Sequence, residues 1–256
     1  MALVVAAYGG GTNSTALLVE YVRRKLPVDL ILFADTGGEK PETYQYIKLF
    51  SKWLTDNGYP EIKMVHRVNK DGEQLQLEQQ CLEKKMLPSL AYGFKKCSQK
   101  FKRQPQDKFC NNWPPAKEAW KRGEKVVKLI GFDAAESRRA KIKDDEKYTY
   151  EYPLIEWNMA RDECVASIKA VGLPLPGKSS CFFCPASKKH EIIALPPALR
   201  ERAVAIEQNA KDNLWICKGL GRNFSWQRLL ENDDAQLKLF PVAETDIACD
   251  CYDGEG

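Results

Sequence analysis

The chain has 256 residues, of which 44% are hydrophobic and 29% charged, enough apolar material for the core of one large domain or of one domain with an appendage. No apolar run approaches the length of a membrane span, and Met1 to Tyr8 lacks the length and basic start of a signal peptide. We therefore expect a cytoplasmic protein with no membrane partner. Its nine cysteines favour metal or redox roles over disulfides in that compartment.

The net charge of +4 is small but unevenly distributed along the sequence. Eight basic residues and one acidic residue lie between Lys84 and Lys108, whereas five acidic residues and no basic one follow Val242. The basic stretch suits a phosphate-rich partner, and it suits a solvated loop equally well.

The first predicted element is a buried strand that begins at Leu3 and leads into three consecutive glycines. A helix follows directly after Gly9, Gly10 and Gly11, with Thr12, Asn13 and Ser14 at its start. We call residues 9–14 the glycine loop. Because glycines let the backbone approach closely and the N–H groups at a helix start are free, this loop is suited to holding an anion.

Four more strands are predicted, over 28–33, 61–68, 125–132 and 150–155. Helices are predicted between and after them, over 41–58, from a capping box at 71–74 to about 86, over 161–171, and over 191–209 with a break at Pro196-Pro197. A loop and a short helix are expected over 111–122. This alternation predicts an α/β fold, a five-stranded parallel sheet flanked by helices, with ligands at the carboxyl ends of the strands. We expect a nucleotide-binding domain over 1–158, a helical C-terminal part over 159–243 and an acidic tail over 244–256.

The glycine loop resembles the PP-loop, Ser-Gly-Gly-x-Asp-Ser, of ATP pyrophosphatases and adenylyl-sulfate reductases. Gly9 stands where that family has Ser, and Asn13 stands where it has Asp. Taken alone, an ordinary glycine-rich turn would be the better interpretation. Four further motifs in the family's order favour the resemblance.

The second motif, Asp35-Thr36-Gly37 followed by Pro41-Glu42-Thr43, is very close to an element of phosphoadenylyl-sulfate (PAPS) reductases. The third, the basic segment 95–105, is similar to their Cys-Cys-x-x-Arg-Lys-x-x-Pro segment, with Ser98 at the second Cys position and Phe101 at the Arg position. The fourth, residues 131–139, resembles Gly-x-x-x-x-Glu-Ser-x-x-Arg, and the fifth, residues 152–157, resembles a Pro-Leu…Trp element.

The resemblance implies that an adenine nucleotide, ATP or an adenylyl-sulfate, lies across the glycine loop. The residues that it places around the nucleotide are Tyr8, Gly9, Gly10, Gly11, Thr12, Asn13, Ser14, Asp35, Thr36, Gly131, Glu136, Ser137 and Arg139. The residues that it assigns to catalysis are Asn13, Ser14, Lys102 and Arg138. Mg²⁺ would neutralise the triphosphate if ATP is the substrate.

Cys181 and Cys184 form a C-x₂-C pair, a spacing that lets both thiolates face one metal. The resemblance implies that Cys97 joins them around a [4Fe–4S] cluster, and because Ser98 replaces the family's other Cys, Cys217 or Cys110 is a candidate for the fourth ligand. We assign Cys217. Zinc and free buried thiols remain alternatives, since zinc and iron–sulfur clusters both accept cysteine ligands.

Three functions are compatible with these motifs. The first is ATP-dependent adenylation with pyrophosphate release, coupled to sulfur transfer; a nucleic acid is then the expected sulfur acceptor, a sulfur-donor protein a further partner, and a homodimer stays open. The second is reduction of adenylyl-sulfate. The missing C-terminal Glu-Cys-Gly-x-His element counts against this function, because the sequence has only Cys249-Asp250-Cys251 there, in a tail expected to be disordered. The third is a non-catalytic nucleotide-binding subunit, which Asn13 favours.

Overall fold

The computed structural model describes residues 2–235 of the chain. Five strands form one sheet in the order β3-β2-β1-β4-β5, and every neighbouring pair is parallel. The strands are β1 (Val4–Ala7), β2 (Leu30–Asp35), β3 (Ile62–His66), β4 (Val126–Ile130) and β5 (Tyr148–Glu151). The predicted α/β fold class is confirmed.

Eleven α-helices are found in the described part of the chain. They are α1 (Thr12–Arg24), α2 (Pro41–Asp56), α3 (Leu77–Glu83), α4 (Lys96–Ser98), α5 (Gln104–Asn112), α6 (Pro114–Lys121), α7 (Pro153–Glu156), α8 (Arg161–Ala170), α9 (Lys189–Ile193), α10 (Pro197–Ala210) and α11 (Trp226–Ala235). A π-helical segment, Gln99–Arg103, joins α4 to α5. Between residues 2 and 235, none of the helices has the length and apolarity that crossing a membrane requires.

Helices cover both faces of the sheet, as the alternation of buried side chains along a strand requires. Val4, Ala6 and Ile31 pack with α1, α2 and α8 on one face. Val5 and Leu32 pack with α5 and α6 on the other. A separate apolar cluster joins α3 and the π-helical segment to the C-terminal helices, and it contains Cys81, Cys97, Cys181, Cys184 and Cys217.

Three predicted elements are wrong in detail. The capping box at 71–74 does not start a helix: the side chain of Asn69 accepts the N–H groups of Asp71 and Glu73, each at 2.9 Å, and α3 begins only at Leu77. The fifth strand ends at Glu151, because Pro153 has no N–H for the sheet and instead occupies the first turn of α7. The residues expected as a loop before the short helix α6 continue α5 as far as Asn112.

Candidate nucleotide-binding site

The glycine loop connects β1 to α1 as a turn with a free helix start. Gly10 adopts φ +76°, a conformation that favours glycine, and Gly11 is the N-cap of α1 with no side-chain cap. The Thr15 N–H donates to Gly11 O at 3.0 Å, so the N–H groups of the preceding residues of α1 have no acceptor within the helix. These N–H groups and the helix dipole make the turn suited to holding an anion.

The first turn of α1 rests directly on the end of β4. A Cβ built on Gly131 would lie 2.9 Å from Ser14 Cα and 3.0 Å from Ser14 N, so only glycine permits this contact without a shift of α1. From β1 the chain first adds strands on one side of the sheet, β2 and β3, and then on the other, β4 and β5. The contact between β1 and β4 therefore lies at the topological switch point. Ligands of open α/β sheets bind in the crevice at that point.

A cavity of about 210 Å³ opens at this crevice. The glycine loop and Gly131 form its floor, while Phe33, Ala34 and Phe132 contribute apolar wall. Tyr8 also lines it, and its hydroxyl lies 3.2 Å from Thr15 Oγ1. The polar side chains around the opening are Lys102, Gln106, Glu136, Arg139, Arg161 and Ser179. An apolar wall beside a cationic rim suits a base with attached phosphates.

Asn13 binds two carboxylates at once. Its Nδ2 donates to Asp133 Oδ2 and to Glu136 Oε2, each at 2.9 Å, and its Oδ1 accepts from Arg161 at 3.0 Å. An aspartate at this position, as in the PP-loop pattern, could not donate either of the first two bonds. The carboxamide therefore holds together two groups that would otherwise repel each other.

Of the two adjacent arginines, Arg139 faces the cavity and Arg138 is exposed outside it. The Arg139 guanidinium pairs with Glu136 and lies 4.2 Å above the centre of the Phe132 ring. Ser137 is exposed like Arg138 and does not line the cavity. Of the two arginines, only Arg139 lines the cavity.

Lys102 and Gln106 enter the cavity from the irregular helix that carries the basic segment. Lys102 Nζ lies 3.2 Å from Glu39 Oε1, a carboxylate that is fully buried. Gln106 is 3% exposed, and its Oε1 has no hydrogen-bond partner. A buried acceptor without a partner is costly unless a ligand supplies the donor. The exocyclic amine or a hydroxyl of a nucleoside is such a donor.

Asp35 and Thr36 do not line the cavity. Asp35 Oδ1 accepts from the Gly37 N–H at 2.8 Å and from the Tyr44 hydroxyl at 2.7 Å, and burial together with this bond raises the pKa of Tyr44. Thr36 Oγ1 lies 3.0 Å from Cys181 Sγ, and the Phe182 N–H donates to Gly38 O at 2.8 Å. This turn anchors the C-x₂-C pair to the end of β2.

The residues around the C-x₂-C pair, 178–187, which we call the cysteine segment, also contact the glycine loop. Ser179 Oγ donates to Gly9 O at 2.6 Å and lies 3.4 Å from Glu39 Oε2. Ser179, like Gln106 and Arg161, carries no motif in the sequence. Gln106 had one usable signal, because it lies one helical turn after Lys102 and faces the same way.

The four predicted metal ligands, Cys97, Cys181, Cys184 and Cys217, lie in one apolar cluster. Cys181 and Cys184 share a turn, in which the Cys184 N–H donates to Cys181 O at 3.0 Å. Burial raises the pKa of the Cys181 thiol well above its usual value; Glu39 and the neighbouring Cys97 raise it further, and Lys102 opposes them.

Burial likewise raises the pKa of Cys217, whose charged neighbours are Glu207 and Arg222. Within residues 2–235, no three His, Cys, Asp or Glu side chains form a group that could hold a metal ion. The iron–sulfur cluster therefore stays a prediction, and we derive no step through it. Cys249 and Cys251 lie outside the described residues.

No protein-family model matches the sequence, and no curated protein matches it. One solved structure with a similar course of the chain is the U34-tRNA thiolase NcsA from Methanococcus maripaludis with its [4Fe-4S] cluster. The two chains share 16% sequence identity with a TM-score of 0.45, over 98% of this chain and 80% of that one.

Proposed function

We propose that this chain is a PP-loop enzyme of the PAPS-reductase-like type that cleaves ATP between its α- and β-phosphates and adenylates an acceptor for sulfur transfer. The observation that carries the proposal is the start of α1 seated on Gly131, with its free N–H groups opening into a cavity rimmed by Lys102 and Arg139. Five motifs in the family's order support it.

The proposed reaction is determined by the groups that surround the phosphates of the bound nucleotide. An acceptor oxygen attacks the α-phosphorus, the bond to the bridging oxygen breaks, and pyrophosphate leaves. The N–H groups of the glycine loop, with Lys102 and Arg139, stabilise the negative charge that develops on the phosphate oxygens. Mg²⁺ would neutralise the charge of the phosphates and would be held mainly by the nucleotide's own oxygens, since Asn13 adds no carboxylate to the site. A sulfur nucleophile then displaces AMP from the adenylated acceptor.

The base and ribose occupy the apolar part of the cavity. Phe33 and Phe132 lie on its walls, and Gln106 offers an acceptor to an amine or hydroxyl of the nucleoside. Asp35 and Thr36 act indirectly, by fixing the cysteine segment beside this site. The iron–sulfur cluster stays a prediction of the resemblance, as does its alternative, zinc.

The test is a product analysis of protein purified anaerobically, with its iron and zinc counted. ATP labelled at the α-phosphate and adenylyl-sulfate labelled at sulfur are incubated separately with it. With no acceptor present, water attacks the α-phosphorus in its place, and we expect AMP and pyrophosphate from ATP. Release of sulfite from adenylyl-sulfate would favour the reductase instead. Tight nucleotide binding with neither product would favour the third function, a non-catalytic nucleotide-binding subunit.

Lys102 provides the matched mutational test. Lys102→Ala removes a cation from the cavity, and we expect pyrophosphate release to fall about tenfold or more, the effect of losing a charge-assisted contact to phosphate. Lys100→Ala removes the same charge from an exposed position two residues earlier and should leave the rate unchanged. Equal rates for the two variants would contradict the assigned phosphate site.

A further inference from the structure

The three most exposed large hydrophobic side chains in the described chain lie on two neighbouring segments. Trp215 is 89% exposed and Ile216 77% in the loop after α10, and Phe94 is 55% exposed just before α4. Exposed apolar side chains that gather on one surface, rimmed by polar residues, mark an interaction site. We call the surface formed by residues 84–96 and 213–222 the basic aromatic face.

The two segments are fixed to each other at both ends of the tryptophan loop. At its start, Asn213 Nδ2 donates to Lys85 O at 3.0 Å. At its end, a Cβ built on Gly93 would lie 3.0 Å from an Arg222 guanidinium nitrogen, so this side chain packs on the backbone beside Phe94. The Lys218 N–H closes the loop by donating to Arg222 O at 2.7 Å. The exposed aromatic residues are thus presented by an anchored surface.

The charge of this face has one sign. Its two segments contain no acidic residue, and their six basic residues are Lys84, Lys85, Lys95, Lys96, Lys218 and Arg222, all exposed. The Lys96 ammonium lies 5.6 Å from the centre of the Phe94 ring, so cation and aromatic ring are directly adjacent. Exposed rings interleaved with cations bind unpaired bases by stacking and the phosphates between them by charge.

We propose that the basic aromatic face binds single-stranded nucleic acid. Bases stack on Trp215 and Phe94, and Lys96, Lys218 and Arg222 contact the intervening phosphates. The role of such binding rests on the proposed function, because the strand would carry the atom that is adenylated and thiolated. The position is suitable: Cys97 follows Lys96 in the sequence, and Cys217 is buried directly after Ile216.

The binding is measured without nucleotide, by fluorescence anisotropy on the full chain. The probes are a labelled twelve-residue RNA strand, the DNA strand of the same sequence, and the corresponding duplex. We expect both single strands to bind more tightly than the duplex, with an affinity that falls as salt rises. Preference for the duplex, or tighter binding of a polyglutamate competitor than of either strand, would overturn the proposal.

Two pairs of variants separate stacking from charge. Trp215→Leu should weaken binding of a single strand about tenfold, whereas Trp215→Phe keeps a stacking surface and should weaken it about threefold at most. The double variant Lys96→Ala/Lys218→Ala should lower the slope of log affinity against log salt by roughly 1.4, about 0.7 for each phosphate contact. Its control is Lys48→Ala/Lys169→Ala, two exposed lysines on α2 and α8.

The proposal would be overturned if Trp215→Leu bound the single strand as tightly as the unmodified chain, or if the double lysine variant had the same salt dependence as its control. Thermal melting checks that each variant is folded, which the exposure of these side chains leads us to expect. Release of AMP and pyrophosphate from ATP, followed on Trp215→Leu in the absence of nucleic acid, should match the unmodified chain. Failure of strand binding with intact ATP cleavage therefore refutes this inference alone, and the reverse result refutes only the proposed function.

Discussion

At the scale of single residues, Asn13 decides how the charges of the nucleotide site are balanced. Its carboxamide donates to Asp133 and Glu136 at 2.9 Å each. Asn13→Asp replaces both donors with a third carboxylate, which repels the other two unless a cation joins them. We expect the melting temperature of this variant to be lower than that of the unmodified chain in a chelating buffer, and millimolar Mg²⁺ to restore most of the difference.

Asn13→Ala is the control for this prediction. It removes the same hydrogen bonds without adding charge, so it should lower the melting temperature and gain little from Mg²⁺. The measurement is a thermal scan with and without the metal. An Asn13→Asp variant as stable as the unmodified chain in chelator would show that the bonds of Asn13 to the two carboxylates matter little.

The motifs in the sequence predicted the backbone of the site better than its side chains. Gly131 was expected near the nucleotide and forms the seat of α1. Arg161 and Ser179 were not expected, because each reaches the cavity from a segment distant in sequence that has no local pattern. Gln106 was also missed, although it lies one helical turn after Lys102. The choice between Arg138 and Arg139 depends on the direction in which a short 3₁₀ turn points each side chain, which spacing alone does not reveal.

At the scale of elements, the packing of α8 on α1 depends on a buried carboxylate. Glu20 is 4% exposed and accepts a hydrogen bond from Ser167 at 2.5 Å. Burial raises the pKa of Glu20, but the bonds from Ser167 and from two arginines of α1 outweigh it, and the pKa lies below its ordinary value. The ionised form of Glu20 therefore stabilises the folded chain.

Ser167→Ala tests this contact through its pH dependence. At neutral pH, above the ordinary pKa of glutamate, the contribution is fully present, and we expect the variant to lose about 1–2 kcal/mol of unfolding free energy. The contribution disappears as pH falls through the lowered pKa of the folded state, so the difference between variant and unmodified chain should shrink towards pH 3. Urea denaturation at both pH values measures it; a difference that is equal at both would contradict the ionic character of the bond.

The elements that the sequence predicted best were those with a strong period. The strands β1 and β4, which flank the glycine loop, appear where the apolar spacing indicated, as do the long helices α1, α2 and α10. The predicted helix over 191–209 is broken at Pro196-Pro197, as expected. The errors arose where a local signal had two meanings. Asp71-Gly72-Glu73 is a turn closed by Asn69, and Pro153 starts a helix after a strand that ends two residues earlier.

At the scale of the whole molecule, the nucleotide site and the cysteine segment form one connected unit. Ser179 binds the carbonyl of Gly9, Glu39 pairs with Lys102, and Thr36 contacts Cys181. The sequence predicted a ligand at the carboxyl ends of the strands but did not reveal these contacts, because they join residues up to 170 positions apart. The proposed nucleotide would therefore contact the same residues that hold the thiols in place.

Ser179→Ala tests this connection. It removes the bond to Gly9 O, and because such a bond contributes about 1 kcal/mol, we expect ATP affinity to fall about fivefold.

Alkylation of Cys184, the less buried thiol of the pair, should also become faster, because the segment is released on one side. ATP should slow that alkylation in the unmodified chain and less so in the variant, as read by mass spectrometry. Ser187→Ala, past the C-x₂-C turn, is the control. If ATP leaves the alkylation rate of the unmodified chain unchanged, the two sites act independently despite their contacts, and the link between nucleotide and thiols fails.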